Sequence, residues 1–211
     1  MDAVLVAAAQ ALSRGDPLQA LKRVALRNDA RSLALRATAL AQLGEYKPAH
    51  QLLLRAARSF ARRDRVAAAR CVVAQAEIAL AARELTLEDA LLASAGDTLA
   101  AAGDLRNARY AGLLRVRHAL SLGELARAEQ RLSELSLRGA EPALLALAAL
   151  AEAEIALRRV RPRSAQRALS RARAAAKRAQ IPALQAEVEE AGQALAPIVI
   201  CVSEQGESLF H

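Results

Sequence analysis

The sequence predicts an all-α fold: an array of about five antiparallel helix hairpins, followed by a short extended C-terminal tail. Three observations point to it. Hydrophobic residues make up 54% of the 211 residues but aromatics only 2%, so the core must be built from Ala, Leu and Val. Small and unbranched residues favour helix, whereas a sheet would need the β-branched and aromatic residues that are scarce here. Apolar residues recur at helical spacing: Leu33, Ala37, Leu40 and Leu43 share one face, as do Ala49, Leu53 and Ala56. Between such segments one short motif keeps returning.

The motif is a helix stop followed five residues later by alanine. GDPLQA runs from Gly15 to Ala20, GEYKPA from Gly44 to Ala49, LTLEDA from Leu85 to Ala90, GELARA from Gly123 to Ala128, and VRPRSA from Val160 to Ala165. Glycine ends a helix in the left-handed conformation without a Cβ penalty. The acidic residues that follow it, Asp16, Glu45 and Glu124, suit the start of the next helix. Pro17, Pro48 and Pro162 fit a first turn, where a missing N–H costs nothing. The alanine is where the two helices of a hairpin touch.

Eleven helices follow in chain order. The first (2–14) stops at Gly15, and the second (17–27) opens on Pro17. The third (30–43) and fourth (46–62) carry the two stripes named above, on either side of Gly44. The fifth (65–83) holds Cys71 in an apolar pattern, and the sixth (86–102) follows the Leu85 turn. Leu113, Val116 and Leu120 line the seventh (105–122), and Ala128, Leu132 and Leu135 the eighth (125–137). The ninth (142–159) contains the longest apolar run, Ala143 to Ala151, far below a membrane span. The tenth (162–179) turns Ala165, Leu169 and Ala172 inward. The eleventh (182–195) carries Glu187, Glu189 and Glu190, a polar face suited to capping a stack.

A hairpin of this size cannot bury its apolar face alone, but stacked hairpins share a continuous core. Ala37, Leu40, Gly44, Tyr46, Ala49, Leu53 and Ala56 fall where tetratricopeptide repeats place their small, large, Gly, Tyr, Ala, large and Ala residues. The chain therefore resembles the divergent tetratricopeptide-like arrays of bacterial transcriptional regulators. The Gly123 repeat has Leu125 in place of the tyrosine, and Leu85 and Val160 replace the glycine altogether. The resemblance covers most of residues 1–196, with its specific support in 30–62. It implies a right-handed superhelical α-solenoid whose first helices line a concave groove. Carried over position by position, that groove comprises Arg31, Thr38 and Gln42, then Gln75 and Arg83, then Tyr110, Arg117 and Ser121, then Glu154 and Arg158 with Leu147 and Leu150. Such a surface would take an acidic peptide with an apolar anchor.

The charge points the same way. Lys+Arg number 30 against 22 Asp+Glu, a net charge of +8, and an acidic partner is expected. Only Lys22, Lys47 and Lys177 are lysines, an arginine bias in keeping with GC-rich bacterial coding. From Ile155 to Gln180 there is no acidic residue, and Arg163, Arg167 and Arg171 stand four apart as a ridge. The ridge reads either as a solvated outer face or as a landing strip for phosphates or acidic side chains. No aromatic residues interleave with it, which disfavours stacking of single-stranded bases.

Nothing in the chain reads as a catalytic or metal centre. His50, His118 and His211 are scattered, the glycines stand singly rather than in a phosphate-cradling loop, and no G-x-S-x-G occurs. Cys71 and Cys201 make no disulfide framework, so a reducing, cytoplasmic setting is expected. The opening MDAVLVAAAQALSRG has Asp2 where a secretory leader has positive charge. PIVICVSEQGESLF (197–210) is β-branched around a polar turn. It reads as a β-hairpin cut short before a second domain, or as a tail packed back on the last helices. The functional expectation is a non-catalytic, cofactor-free scaffold for a protein or acidic peptide, with no membrane partner, as the regulatory or assembly domain of a bacterial transcriptional regulator. The competing expectation is nucleic-acid binding through 158–178, with DNA met directly or through a further domain. A homodimer through the apolar N-terminal helix is the expected mode of self-association.

Overall fold

A computed structural model describes residues 2–61, 63–84 and 87–193. Among them every regular element is a helix, with no strand. The helices are α1 (Ala3–Ser13), α2 (Pro17–Val24), α3 (Ala30–Gln42), α4 (Tyr46–Phe60), α5 (Arg65–Ala81), α6 (Asp89–Ala101), α7 (Leu105–Ser121), α8 (Leu125–Glu134), α9 (Pro142–Arg158) and α10 (Pro162–Ala179). Helix α11 runs over 182–193. No helix among the described residues is long and apolar enough to cross a membrane. The expected tail at 197–211, Cys201 and the Leu85 turn position lie outside the described residues.

One turn geometry recurs six times. The residues at its centre are Gly15, Gly44, Arg83, Gly103, Gly123 and Val160, all with φ between 56° and 80°. At each, the next amide reaches back to the carbonyl five residues earlier: Asp16 to Ala11, Glu45 to Leu40, Glu84 to Ala79, Asp104 to Leu99, Glu124 to Ala119, and Arg161 to Ala156, at 2.8–2.9 Å. This is the Schellman closure, which satisfies the carbonyls a helix end leaves orphaned. Asp16, Glu45, Glu124 and Arg161 then serve as N-caps of the following helix, so one residue closes a helix and opens the next.

Two details of the expected pattern are corrected. A left-handed turn is centred on Arg83, two residues before the expected position, and α6 begins only at Asp89, so Ala90 sits in its first turn and is exposed. A longer connection thus replaces the tight hairpin there. The sequence reading also passed over GDLRNA (Gly103 to Ala108), which carries the same glycine, acid and alanine and makes the same closure before α7. Helices α2 and α8 stop three residues earlier than expected, at Val24 and Glu134. At α8 the next residue, Leu135, is already extended (ψ 112°).

Aspartate and glutamate occupy most of the helix starts, and they behave differently. Asp2, Asp16, Asp29 and Asp64 each accept a hydrogen bond from an amide in the first turn, at 2.9–3.1 Å. Glu45, Glu88, Glu124 and Glu141 occupy the same position and make no such bond. One extra methylene carries the carboxylate past the amides that a capping side chain must reach.

The contacts divide the chain into two compact units at Leu114 and Arg115, inside α7. In the first unit the core is a relay of three clusters. Ala11, Leu12, Ala20 and Ala39 join α1, α2 and α3. Leu33, Ala37, Ala49, Leu53, Cys71 and Ile78 join α3, α4 and α5. Ala69, Val73, Leu92, Leu99, Ala111 and Leu114 join α5, α6 and α7. Helices α3 and α5 therefore each serve two clusters, and α3 also touches both α1 and α5 directly. In the second unit Ala146, Ala149 and Ala153 of α9 interleave with Ala168, Leu169, Ala172 and Ala176 of α10, with Leu184 and Val188 of α11 against them. The alanines after the turns, Ala20, Ala49, Ala128 and Ala165, are at most 1% exposed.

Two predictions follow from these turns and caps. Val160 holds φ 57° with a β-branched side chain that is 69% exposed, so it bears the backbone cost without much burial in return. Val160→Gly should raise stability by roughly 0.5–1 kcal/mol after the entropy of glycine is counted. Urea midpoints check this, and a lower midpoint would contradict the assignment. The second concerns Asp29. The Ser32 hydroxyl donates to it at 2.7 Å and its amide at 3.1 Å. The hydroxyl bond leads in holding the carboxyl at about 2 against an ordinary 3.8. Asp29→Ala should cost about 1 kcal/mol at neutral pH. A carboxyl depressed on folding contributes fully above its unfolded pKa, so this difference should vanish as pH falls from about 4 to about 2. A difference as large at pH 2 as at pH 7 would contradict the capping role.

Candidate functional site

In the first unit, α1, α3 and α5 line an open hollow of about 760 Å³. Its walls are apolar: Leu5, Val6 and Ala9 from α1, Ala34 and Leu35 from α3, and Ala67 and Ala74 from α5. Leu53 and Phe60 of α4 close the floor. The helical period produces this directly, because residues three and four apart share a face. The walls therefore continue from the margins of the core clusters, with Ala34, Phe60 and Ala74 packed against one and Leu35 against another.

Polar groups sit around this hollow, and most are already engaged. The Thr38 hydroxyl donates to the Ala34 carbonyl at 3.1 Å. Asp64 accepts from the Ala67 amide at 2.9 Å as the cap of α5. Arg70 donates from Nε to Asp104 at 2.7 Å. Burial pushes the Asp104 carboxyl up, but hydrogen bonds from Asn107 and Arg70 outweigh it and hold the group below its usual range. Arg31 differs: it is exposed on the rim and has no hydrogen bond or ion pair among the described residues. The hollow therefore offers apolar walls and one unengaged guanidinium, a fit for an aliphatic side chain next to a carboxylate.

Cys71 also lines the hollow, and burial pushes its thiol up to about 11. It stays protonated at neutral pH and is a poor nucleophile. Among the described residues no three His, Cys, Asp or Glu side chains come together to hold a metal.

The groove residues expected from the sequence are distributed as follows. Arg31 and Thr38 meet on the hollow. Gln42 instead ties helix ends together, donating to the Leu12 carbonyl at 3.4 Å. Gln75 is only 8% exposed, and its amide nitrogen has no hydrogen-bond partner among the described residues. Arg83 is the left-handed turn residue after α5, and Tyr110 packs partly buried against the α5–α7 cluster. In the second unit, Arg117, Leu147, Leu150 and Glu154 share a smaller hollow of about 250 Å³, with Glu187 of α11 beside them. There Arg117 stands 3.9 Å from Glu187. Arg158 pairs with Glu154 and donates to the Leu120 carbonyl at 2.8 Å.

The basic segment is also altered by its neighbours. Arg163, Arg167 and Arg171 do lie exposed on α10, with Ala165, Leu169 and Ala172 buried behind them. Yet Arg171 pairs with Glu152 at 2.6 Å, Arg173 with Glu189 at 3.3 Å, and Arg159 and Arg161 share Glu129 at 3.5 and 3.3 Å. Helices α8, α9 and α11 supply those acids, so the acid-free run in the sequence is partly neutralised in space. Arg163, Arg167, Lys177 and Arg178 remain without an ion pair among the described residues. Sequence reasoning missed the Arg70–Asp104 pair and the α1 wall. The signals were there in the Asp104 of GDLRNA and in the apolar stripe Leu5, Val6, Ala9, on a helix that the sequence assigned to self-association instead.

Compared with known proteins, the chain matches no family model, no curated protein and no solved structure.

The unpartnered Gln75 amide generates a prediction. A buried donor without an acceptor costs about 1–3 kcal/mol, and a side chain of similar shape without the polar group removes that cost. Gln75→Met should raise stability by about 1 kcal/mol, read as a shift in urea midpoint. A loss of stability would mean the amide is satisfied.

Proposed function

We propose that the chain is a non-catalytic scaffold that binds a protein or peptide. In this reading it is a divergent tetratricopeptide-like array and serves as the regulatory or assembly domain of a bacterial cytoplasmic transcriptional regulator. The observation that carries it is the apolar hollow between α1, α3 and α5, the first helices of successive hairpins, with Arg31 and Thr38 on its wall. The direct α1–α3 and α3–α5 contacts support a stacked arrangement, since first helices pack on first helices when hairpins pile up.

The ligand that suits the hollow is a short peptide with an aliphatic anchor and a carboxylate for Arg31. A uniformly charged polymer would leave the apolar walls unsatisfied. Direct nucleic-acid binding through 158–178 is disfavoured by the five arginines there that neighbouring glutamates engage.

Selection from a displayed peptide library on the whole chain tests this. Wild type should enrich peptides with an aliphatic residue next to an acid. Thr38→Trp fills the groove from an exposed position, and should weaken those peptides about tenfold or more, the loss of a well-placed anchor, while the helical circular dichroism stays unchanged. No enrichment, or enriched peptides that ignore Thr38→Trp, would overturn the reading.

A further inference from the structure

The second unit carries a different surface on α8, α9 and α10. One hollow there, of about 500 Å³, is mainly apolar, walled by Leu132, Leu137 and Leu145, and also lined by Arg178 and by Glu129, which Arg159 and Arg161 engage. A second, of about 960 Å³, is polar and basic, flanked by Arg163 and Arg167. Both hollows are bounded by the same two residues, Glu152 and Arg171, which pair at 2.6 Å. The two therefore adjoin across that ion pair and form one continuous face, apolar at one end and basic at the other. Arg163 and Arg178 are fifteen residues apart on one helix, about 22 Å at 1.5 Å per residue.

We propose that this face binds an acidic peptide segment in extended form. An aliphatic side chain enters the hollow between Leu132, Leu137 and Leu145, and carboxylates a few residues along meet Arg163 and Arg167. Seven extended residues span about 23 Å, which matches the face. Three features select this occupant. Half-buried leucines at one end need an apolar group, which a phosphate backbone lacks. Two guanidiniums four residues apart, with no acid of their own, need anions. The Glu152–Arg171 ion pair between the ends offers no net positive charge, so a polymer that is negative at every step gains nothing there, whereas a neutral stretch of peptide bridges it.

This surface is distinct from the α1–α3–α5 groove, and its test separates the two. The probe is a fluorescein-labelled heptapeptide with leucine at one end and three glutamates at the other, followed by anisotropy with the full chain. Binding is expected at low salt and should weaken about tenfold or more when both arginines are reversed, Arg163→Glu with Arg167→Glu, because two close charge pairs turn repulsive. Leu137→Glu, or replacing the peptide's leucine by glycine, should cost a comparable factor. Thr38→Trp should change nothing. All these positions are exposed or half-buried, and circular dichroism checks that each variant is folded. Four results would overturn the proposal: no binding by the heptapeptide, binding indifferent to its leucine, loss of binding in Thr38→Trp, or a DNA duplex that binds more tightly than the peptide and depends on the same arginines.

Discussion

A core with almost no aromatic side chains holds only if its helices lie close together. Alanine and leucine each bury modest area, so the attraction comes from many short contacts rather than a few large ones. The closeness is set at the turns. A left-handed residue reverses the chain within two positions, and the alanine five residues on then faces the helix just left. Ala20, Ala49, Ala128 and Ala165 are all but fully buried at that point. A larger side chain there would push the pair apart at a cost of about 1–3 kcal/mol. The three-cluster relay of the first unit depends on this spacing, because α3 and α5 must each reach two clusters at once.

Much of this was legible before any coordinates. Gly44, Glu45 and Ala49 announced a turn, a helix start and a contact, and the helical period placed the apolar stripes. Val160 was readable as a turn centre although it is not glycine, because Pro162 and Ala165 keep the spacing of the motif. Where reading failed, two features with similar local signatures competed. Leu85 sat near the expected interval, but Arg83 takes the left-handed conformation, and no property of arginine announces that. Gly103 carried the full motif yet fell only twenty residues before Gly123, inside an interval taken for a single hairpin.

The site was less legible than the fold, for a reason of distance. Helical period tells which residues share a face, not which residues from other helices meet them. Arg171 reads as unpaired until Glu152 of α9 is placed beside it, and Gln75 reads as a groove residue until its neighbours bury it. The hollow itself depends on α1, which bears no part of the best-matching repeat. Its apolar residues Leu5, Val6 and Ala9 form a wall only because α1 contacts α3. The two surfaces differ in chemistry as well as place. One is an apolar slot with a single unengaged arginine on its rim, and the other is a longer face divided into apolar and basic halves. A chain can present both because each sets exposed and half-buried side chains beside the margin of a core cluster.

The claim that carries most weight is that the slot between α1, α3 and α5 is where a peptide binds. Amide chemical-shift mapping of the whole chain, titrated with a peptide selected on it, addresses that claim directly. The account predicts that the largest shifts fall on residues around the slot, including Ala9, Arg31, Thr38 and Ala67, and saturate together. Shifts confined to other helices, or none at saturating peptide, would contradict it.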